Sequence, residues 1–232
     1  MHRWYPKAEI TGLDRDSELI RFASENEKGV IFTEGDAAAL PFEEESFDVV
    51  ISNTVCEHIE PSEFFGEQLR VLKKGGTCLV LSSRRGINAG KEPDLSEFEE
   101  KFWEKAEKYD DTVEKYSVGK YAMSEAVLPK TMEKYGFVNV KTDFAIIPLT
   151  PDDPKFTPDL AHDIINSDRY SDIERLDSVS YTLGEHFTDE EIGEMKRIAE
   201  KRYDDRIEIY DKGEKLWDTT VAVTMIVRGS KK

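Results

Sequence analysis

Positive charge is what this chain has least of: 32 Lys and Arg stand against 49 Asp and Glu in 232 residues, a net charge of −17. Such a surface repels a phosphate backbone at long range, which argues against nucleic acid as a substrate. Cysteine is nearly absent. Cys56 and Cys78 share no C-x-x-C spacing, so neither a disulfide framework nor a thiolate zinc site is supported and no metal is expected. Cys78, in an apolar run, reads as an inert core thiol, and Cys56 as a small buried side chain with a functional thiol as the alternative. No apolar run approaches the roughly 20 residues of a membrane span. The start also lacks the apolar stretch of a signal peptide, so a cytosolic (cytoplasmic) location is the default expectation and no membrane partner is expected. Finally, no G-x-G pattern occurs anywhere, so a Gly-rich phosphate loop has no candidate.

What is present centres on residues 30 to 58, VIFTEGDAAALPFEEESFDVVISNTVCEHI. Val30 to Thr33 and Phe47 to Ser52 are short, β-branched and apolar, and they predict strands buried on both faces. Between them Gly35 permits a tight exit, Asp36 offers an acceptor-only carboxylate, and Leu40, Pro41 and Phe42 supply an apolar wall. That set suits a purine: the carboxylate accepts from an exocyclic amine, a backbone amide donates to a ring nitrogen, and carbon stacks on the face. A plain surface Asp in a turn is the competing reading. Upstream, Ala8 to Leu13 predicts another strand, ending at Asp14 before a helix that Ser17 would cap. An acid at that strand end is placed to bind ribose hydroxyls. Asp14 and Asp36, on consecutive strand ends, together describe an adenosine site.

The order GLDRD, GDAAALPF, FDVVISNTVCEHI and RVLKKGGTCLVLSS resembles the class I S-adenosylmethionine-dependent methyltransferases, in particular the large family acting mostly on small molecules (methyltransferase-11-like). The resemblance covers residues 3 to about 83 closely and 119 to 147 more loosely. It implies a Rossmann-like, doubly wound, mostly parallel α/β sheet. It also implies that Asp14, with Arg15 beside it, holds the ribose of S-adenosylmethionine, that Asp36 and the amide of Ala37 hold the adenine, and that Asn53 lines the methionine end. The family's first strand and its Gly-rich loop would fall upstream of residue 1. The expectation is therefore an N-terminally truncated copy, with two strands left lacking the partner they would share.

The rest of the chain continues the strand and helix alternation to Ser83. A helix over 61–72, with Phe65, Leu69 and Leu72 inward, is stopped by Gly75 and Gly76 before a strand at 77–82. Arg84 to Gly86 then begin a loop, and Pro93 to Lys108 predicts an acidic helix with a Ser96/Glu99 capping box. A helix from Ser124 to Tyr135 ends at Gly136, and Phe137 to Ile147 forms the next strand. Residues 148–218 read as a helical insertion before the last strand, with helices at about 159–167, 171–183 and 188–211. The core would then be 1–147 plus 219–232, closing on Val221 to Val227 as a near-edge strand. The insertion is either a lid over substrate or an extra packing layer or homodimer surface, with His162, Tyr170, Tyr181 and His186 as its candidate substrate-facing groups.

His58 is the one candidate catalytic residue, lying beyond the 47–52 strand where chemistry is expected. Methyl transfer from a sulfonium needs alignment more than a strong base, so a structural or substrate-lining role competes with catalysis. The function expected is methyl transfer to a small-molecule acceptor. The alternative is a non-catalytic member, a pseudoenzyme or assembly partner. A nicotinamide-dependent dehydrogenase ranks third, since the order GDAAALPF then FDVV does not support it.

Overall fold

The computed structural model describes residues 4–89, 95–116 and 118–232. The expected helix start at Pro93 and the opening residues His2 and Arg3 lie outside them. The chain is α/β, with elements in the order β1 (Ile10–Asp14), α1 (Ser17–Asn26), β2 (Val30–Glu34), β3 (Phe47–Asn53), α2 (Pro61–Val71), β4 (Leu72–Ala89), α3 (Glu97–Tyr109), α4 (Thr112–Tyr116), α5 (Val127–Lys134), β5 (Val138–Leu149), α6 (Pro158–Leu183), α7 (Asp189–Asp211) and β6 (Thr219–Ser230). The strands form two sheets: β1 pairs with β2 in parallel, and four strands follow the order β3-β4-β6-β5, in which β3 and β4 are parallel. No helix among the described residues is long and apolar enough to cross a membrane.

Two compact units divide the chain: residues 1–83, 118–145 and 224–232 in the first, 84–117 and 146–223 in the second. The first is organised on a core of Phe64, Phe65, Leu72, Cys78, Val80, Leu128, Met132, Phe137, Met225 and Val227. Helix α2 shows how the sequence builds it. Pro61 occupies the first turn, where its missing N–H costs nothing, and the Glu60 carboxylate accepts from the amides of Ser62 and Glu63. Phe64, Phe65, Gln68 and Val71 then recur on one face and bury it. The second unit packs Phe102 and Ala106 of α3 with Leu176, Val179 and Leu183 of α6 and Ile192, Met195 and Ala199 of α7. Ser96 and Thr188 each complete a capping box at the start of their helices.

Several local expectations are corrected. Asp16, not Ser17, caps α1, because its carboxylate reaches the amides of Glu18 and Leu19. Leu19 and Phe22 are exposed, as are Ile31 of β2 and Val49 and Ile51 of β3, so these strands are covered on one face only. Gly75 and Gly76 do not end a helix. They lie inside β4, where the register jumps from Phe47↔Leu72 to Val49↔Thr77, and a Cβ on Gly76 would meet the Lys73 carbonyl oxygen at 2.8 Å. Nor does a loop begin at Arg84: β4 runs on, and Gly86 lies so close to β6 that a Cβ would collide with the Val221 carbonyl at 1.9 Å. Helix α5 is shorter than expected, starting at Val127. The two helices expected over 159–183 are one. Polar residues at and beside the expected gap have partners on α7, Arg169 with Glu200 (3.1 Å) and Asp204 (2.8 Å), and Asp172 accepting from Tyr203 (2.7 Å). Strand β6 is interior, flanked by β4 and β5.

Candidate functional site

In the first unit, β1 and β2 end side by side. Asp14 is the register partner of Glu34, and the Gly35 amide donates to the Asp14 carbonyl at 2.9 Å. Asp36 follows directly, so the two carboxylate-bearing residues stand on adjacent strand tips. A side chain at Gly35 would crowd its neighbours, its Cβ coming within 2.9 Å of the Leu13 side-chain tip and 3.2 Å of Pro41. Leu13, Pro41 and the Gly35 backbone thus form one tight apolar corner.

Both acids are exposed, and both are oriented by the chain just after them. Asp14 Oδ1 accepts from the Asp16 amide (2.9 Å) and Asp36 Oδ1 from the Ala38 amide (2.8 Å). Each therefore spends one oxygen locally, and among the described residues the second oxygen of each is uncommitted. The Ala37 N–H likewise finds no protein acceptor there. Two outward acceptors with a free donor between strand tips match what a nucleoside presents, hydroxyls and an exocyclic amine to accept from and a ring nitrogen to donate to. Arg15 lies exposed beside Asp14.

Reading the sequence did not single out the clamp that holds the Asp36 turn. Glu67 Oε2 accepts from the Leu40 amide at 2.7 Å, while Arg70 donates to the carbonyls of Phe42 (2.7 Å) and Leu40 (2.9 Å) and to both Glu67 oxygens (2.7 and 2.8 Å). The Arg70 hydrogen bond holds the Glu67 carboxyl below the usual range, and Glu67 in turn raises Arg70. In sequence this pair is an ordinary i,i+3 ion pair on α2; only the fold brings the 40–42 backbone to it. Phe42 also packs edge-on against Phe47 at the start of β3, 5.0 Å between ring centres.

Asn53 and His58 stand at the end of β3, in the other sheet. Asn53 is exposed and pairs in register with Leu81, while Thr54 after it adopts a left-handed φ of 53°. Glu57 accepts from the Ser82 hydroxyl and from the Cys56 thiol (3.5 Å), and its carbonyl accepts from the Tyr121 amide (2.9 Å). His58 Nδ1 accepts from the Gly119 amide at 3.0 Å. Cys78 is buried, and its thiol is pushed up to about 12 by that burial and by neighbouring Cys56, which suits an inert core group. Among the described residues no group of three His, Cys, Asp or Glu could hold a metal ion.

The four candidates of the second unit do not converge. His162 pairs with Asp211 (2.8 Å), His186 stacks on Tyr109 with ring centres 3.9 Å apart, and Tyr170 and Tyr181 are exposed. A cavity of about 720 Å³ in that unit is lined by Trp103, Arg175 and several carboxylates, among them Glu100 and Glu104. The Arg175 guanidinium already covers the Trp103 ring at 3.9 Å.

Among known families, the model of one described as a methyltransferase domain matches residues 1–80. Over 81 residues the chain is 42% identical to the phthiotriol/phenolphthiotriol dimycocerosates methyltransferase 1 of Mycobacterium ulcerans, covering 33% of this chain and 30% of that protein. It is 34% identical over 89 residues to a ubiquinone/menaquinone biosynthesis C-methyltransferase of Desulfotalea psychrophila, covering 36% and 35% respectively. The fatty-acid O-methyltransferase of Mycolicibacterium smegmatis is 38% identical over 86 residues, covering 35% and 31%. The chain thus spans about a third of the length of these relatives. Among solved structures it is similar to phosphoethanolamine N-methyltransferase 2 of Haemonchus contortus, at 19% identity and a TM-score of 0.45, over 96% of this chain and 44% of that one.

Proposed function

We infer, from the match of residues 1–80 to the methyltransferase-domain model, that the chain acts in methyl transfer from S-adenosylmethionine to a small-molecule acceptor. The observation that carries the reading is the juxtaposition of Asp14 and Asp36 on neighbouring strand tips, tied by the Gly35 amide. Asp14, with Arg15 at its side, would hold the ribose, Asp36 and the Ala37 amide the adenine, and Asn53 the methionine end. His58 would line the acceptor side. The sulfonium supplies an activated methyl group when the cofactor is bound. The protein's share is then to orient the two reactants, which for a reaction needing little acid or base help is the larger part of catalysis.

A second reading, a non-catalytic member that works in assembly, is favoured by one observation. Ile31, Val49 and Ile51 on strands and Leu19 and Phe22 on α1 are all exposed in the first unit, apolar side chains that a partner would cover. Calorimetric titration with S-adenosylhomocysteine separates the two. Saturable binding is expected, since Asp14 and Asp36 each keep one carboxylate oxygen for the ribose and the base. No saturable binding would overturn the methyl-transfer reading in favour of the second.

A further inference from the structure

His58 sits where a general base would be sought, yet the geometry commits its basic nitrogen elsewhere. Nδ1 accepts the Gly119 N–H at 3.0 Å, and one residue earlier the Glu57 carbonyl accepts the Tyr121 N–H at 2.9 Å. The adjacent pair therefore grips a turn from a distant part of the sequence at two points. That turn needs its own shape: Gly119 has a φ of +67°, and its carbonyl accepts from the Ala122 amide at 3.0 Å. The Glu57 side chain is fixed in turn by the Ser82 hydroxyl of β4.

An imidazole nitrogen that accepts a hydrogen bond carries no proton. In the neutral ring the other nitrogen must then carry it, so the tautomer is set by the partner of Nδ1. We propose that His58 is a positioning residue: it pins the 118–121 turn to the end of β3 through Nδ1, and offers Nε2–H as a hydrogen-bond donor rather than a lone pair as a base. Two consequences follow for the acceptor, both resting on the methyl-transfer reading above. His58 removes no proton from the acceptor, so the acceptor class is one whose nucleophile has a lone pair ready without that help. A group meeting Nε2 is one that accepts, such as a carboxylate, carbonyl or phenolate oxygen. A donor-only ammonium would find no partner there.

The test uses the full chain, labelled with 15N-histidine, at a pH where the ring is neutral. His58 is identified by the signals lost in His58→Asn. The Nε2–H form should dominate; a populated Nδ1–H form would overturn the proposal. Amide exchange of Gly119, read by NMR, supplies the second arm. Losing one hydrogen bond should speed it about fivefold in His58→Ala. His58→Asn, whose side-chain oxygen can take the place of Nδ1, should restore it. Equal exchange in all three proteins, or failure of Asn to rescue, would contradict the clasp. These readouts need no cofactor, so a chain that passes both but does not bind S-adenosylhomocysteine keeps the clasp and loses the methyl-transfer reading.

Discussion

Two sets of aspartates in this molecule contrast sharply. In the second unit Asp152 is buried and held three times through one oxygen: Arg206 reaches its Oδ2 at 2.9 Å, and so do the amides of Leu216 (3.0 Å) and Trp217 (2.9 Å). Arg206 is also paired with Asp218 at 2.6 and 3.0 Å. In the first unit Asp14 and Asp36 are exposed, each held by one amide close by in sequence. A buried carboxylate held by a cation and by amides distant in sequence is structural, whereas an exposed one oriented by a single nearby amide is available to a ligand. Counting acids would not distinguish the two sets; burial and the reach of each one's partners do.

The sharpest break of that contrast comes from Asp152→Ala. It leaves the Arg206 charge under-paired and two amides without an acceptor, so a loss of about 3–5 kcal/mol in urea unfolding is expected. Asp14→Asn and Asp36→Asn should each move stability by under about 0.5 kcal/mol in the same experiment. A comparable loss at either site would mean these acids are structural too. Next in size is Glu67→Ala, which removes the acceptor of the Leu40 amide and frees Arg70 from its partner. Stability should fall by about 1 kcal/mol, and S-adenosylhomocysteine should bind about fivefold more weakly because the Asp36 turn loosens. Unchanged binding in a folded variant would remove the clamp from the site.

A further effect lies at half-buried Asp168, whose carboxyl is held above its usual range by burial first, and then by Asp172 and Asp218. Folding favours its protonated form, so its contribution to stability is complete below about pH 4 and is lost as pH rises through the folded value. Asp168→Asn should therefore stabilise the protein at pH 7, by under about 1 kcal/mol given solvent screening, and change nothing near pH 3. A variant less stable at pH 7 would contradict this.

The legibility of the sequence follows the range of the interactions. Strands β2 and β3, the capping box at Ser96, and the placement of Asp14 and Asp36 at strand ends could all be read, because each depends on residues a few positions apart. What escaped depends on distant partners. The length of β4 is set by pairing that brings Gly86 onto Val221, and the unity of α6 by ion pairs from Arg169 to α7. The Glu67–Arg70 clamp and the His58–Gly119 bond likewise join segments 27 to 61 residues apart. The exposure of Ile31, Val49 and Ile51 was missed for a related reason, since an apolar strand shows that a face could be buried but not which element covers it.

The central claim, that Asp14 and Asp36 share one nucleoside, is tested most directly by mapping backbone amide shifts as S-adenosylhomocysteine is added to the chain. The account predicts the largest shifts at residues 14–16 and 35–38, both groups following a single saturation curve. Shifts confined to one group, or two groups saturating independently, would contradict it.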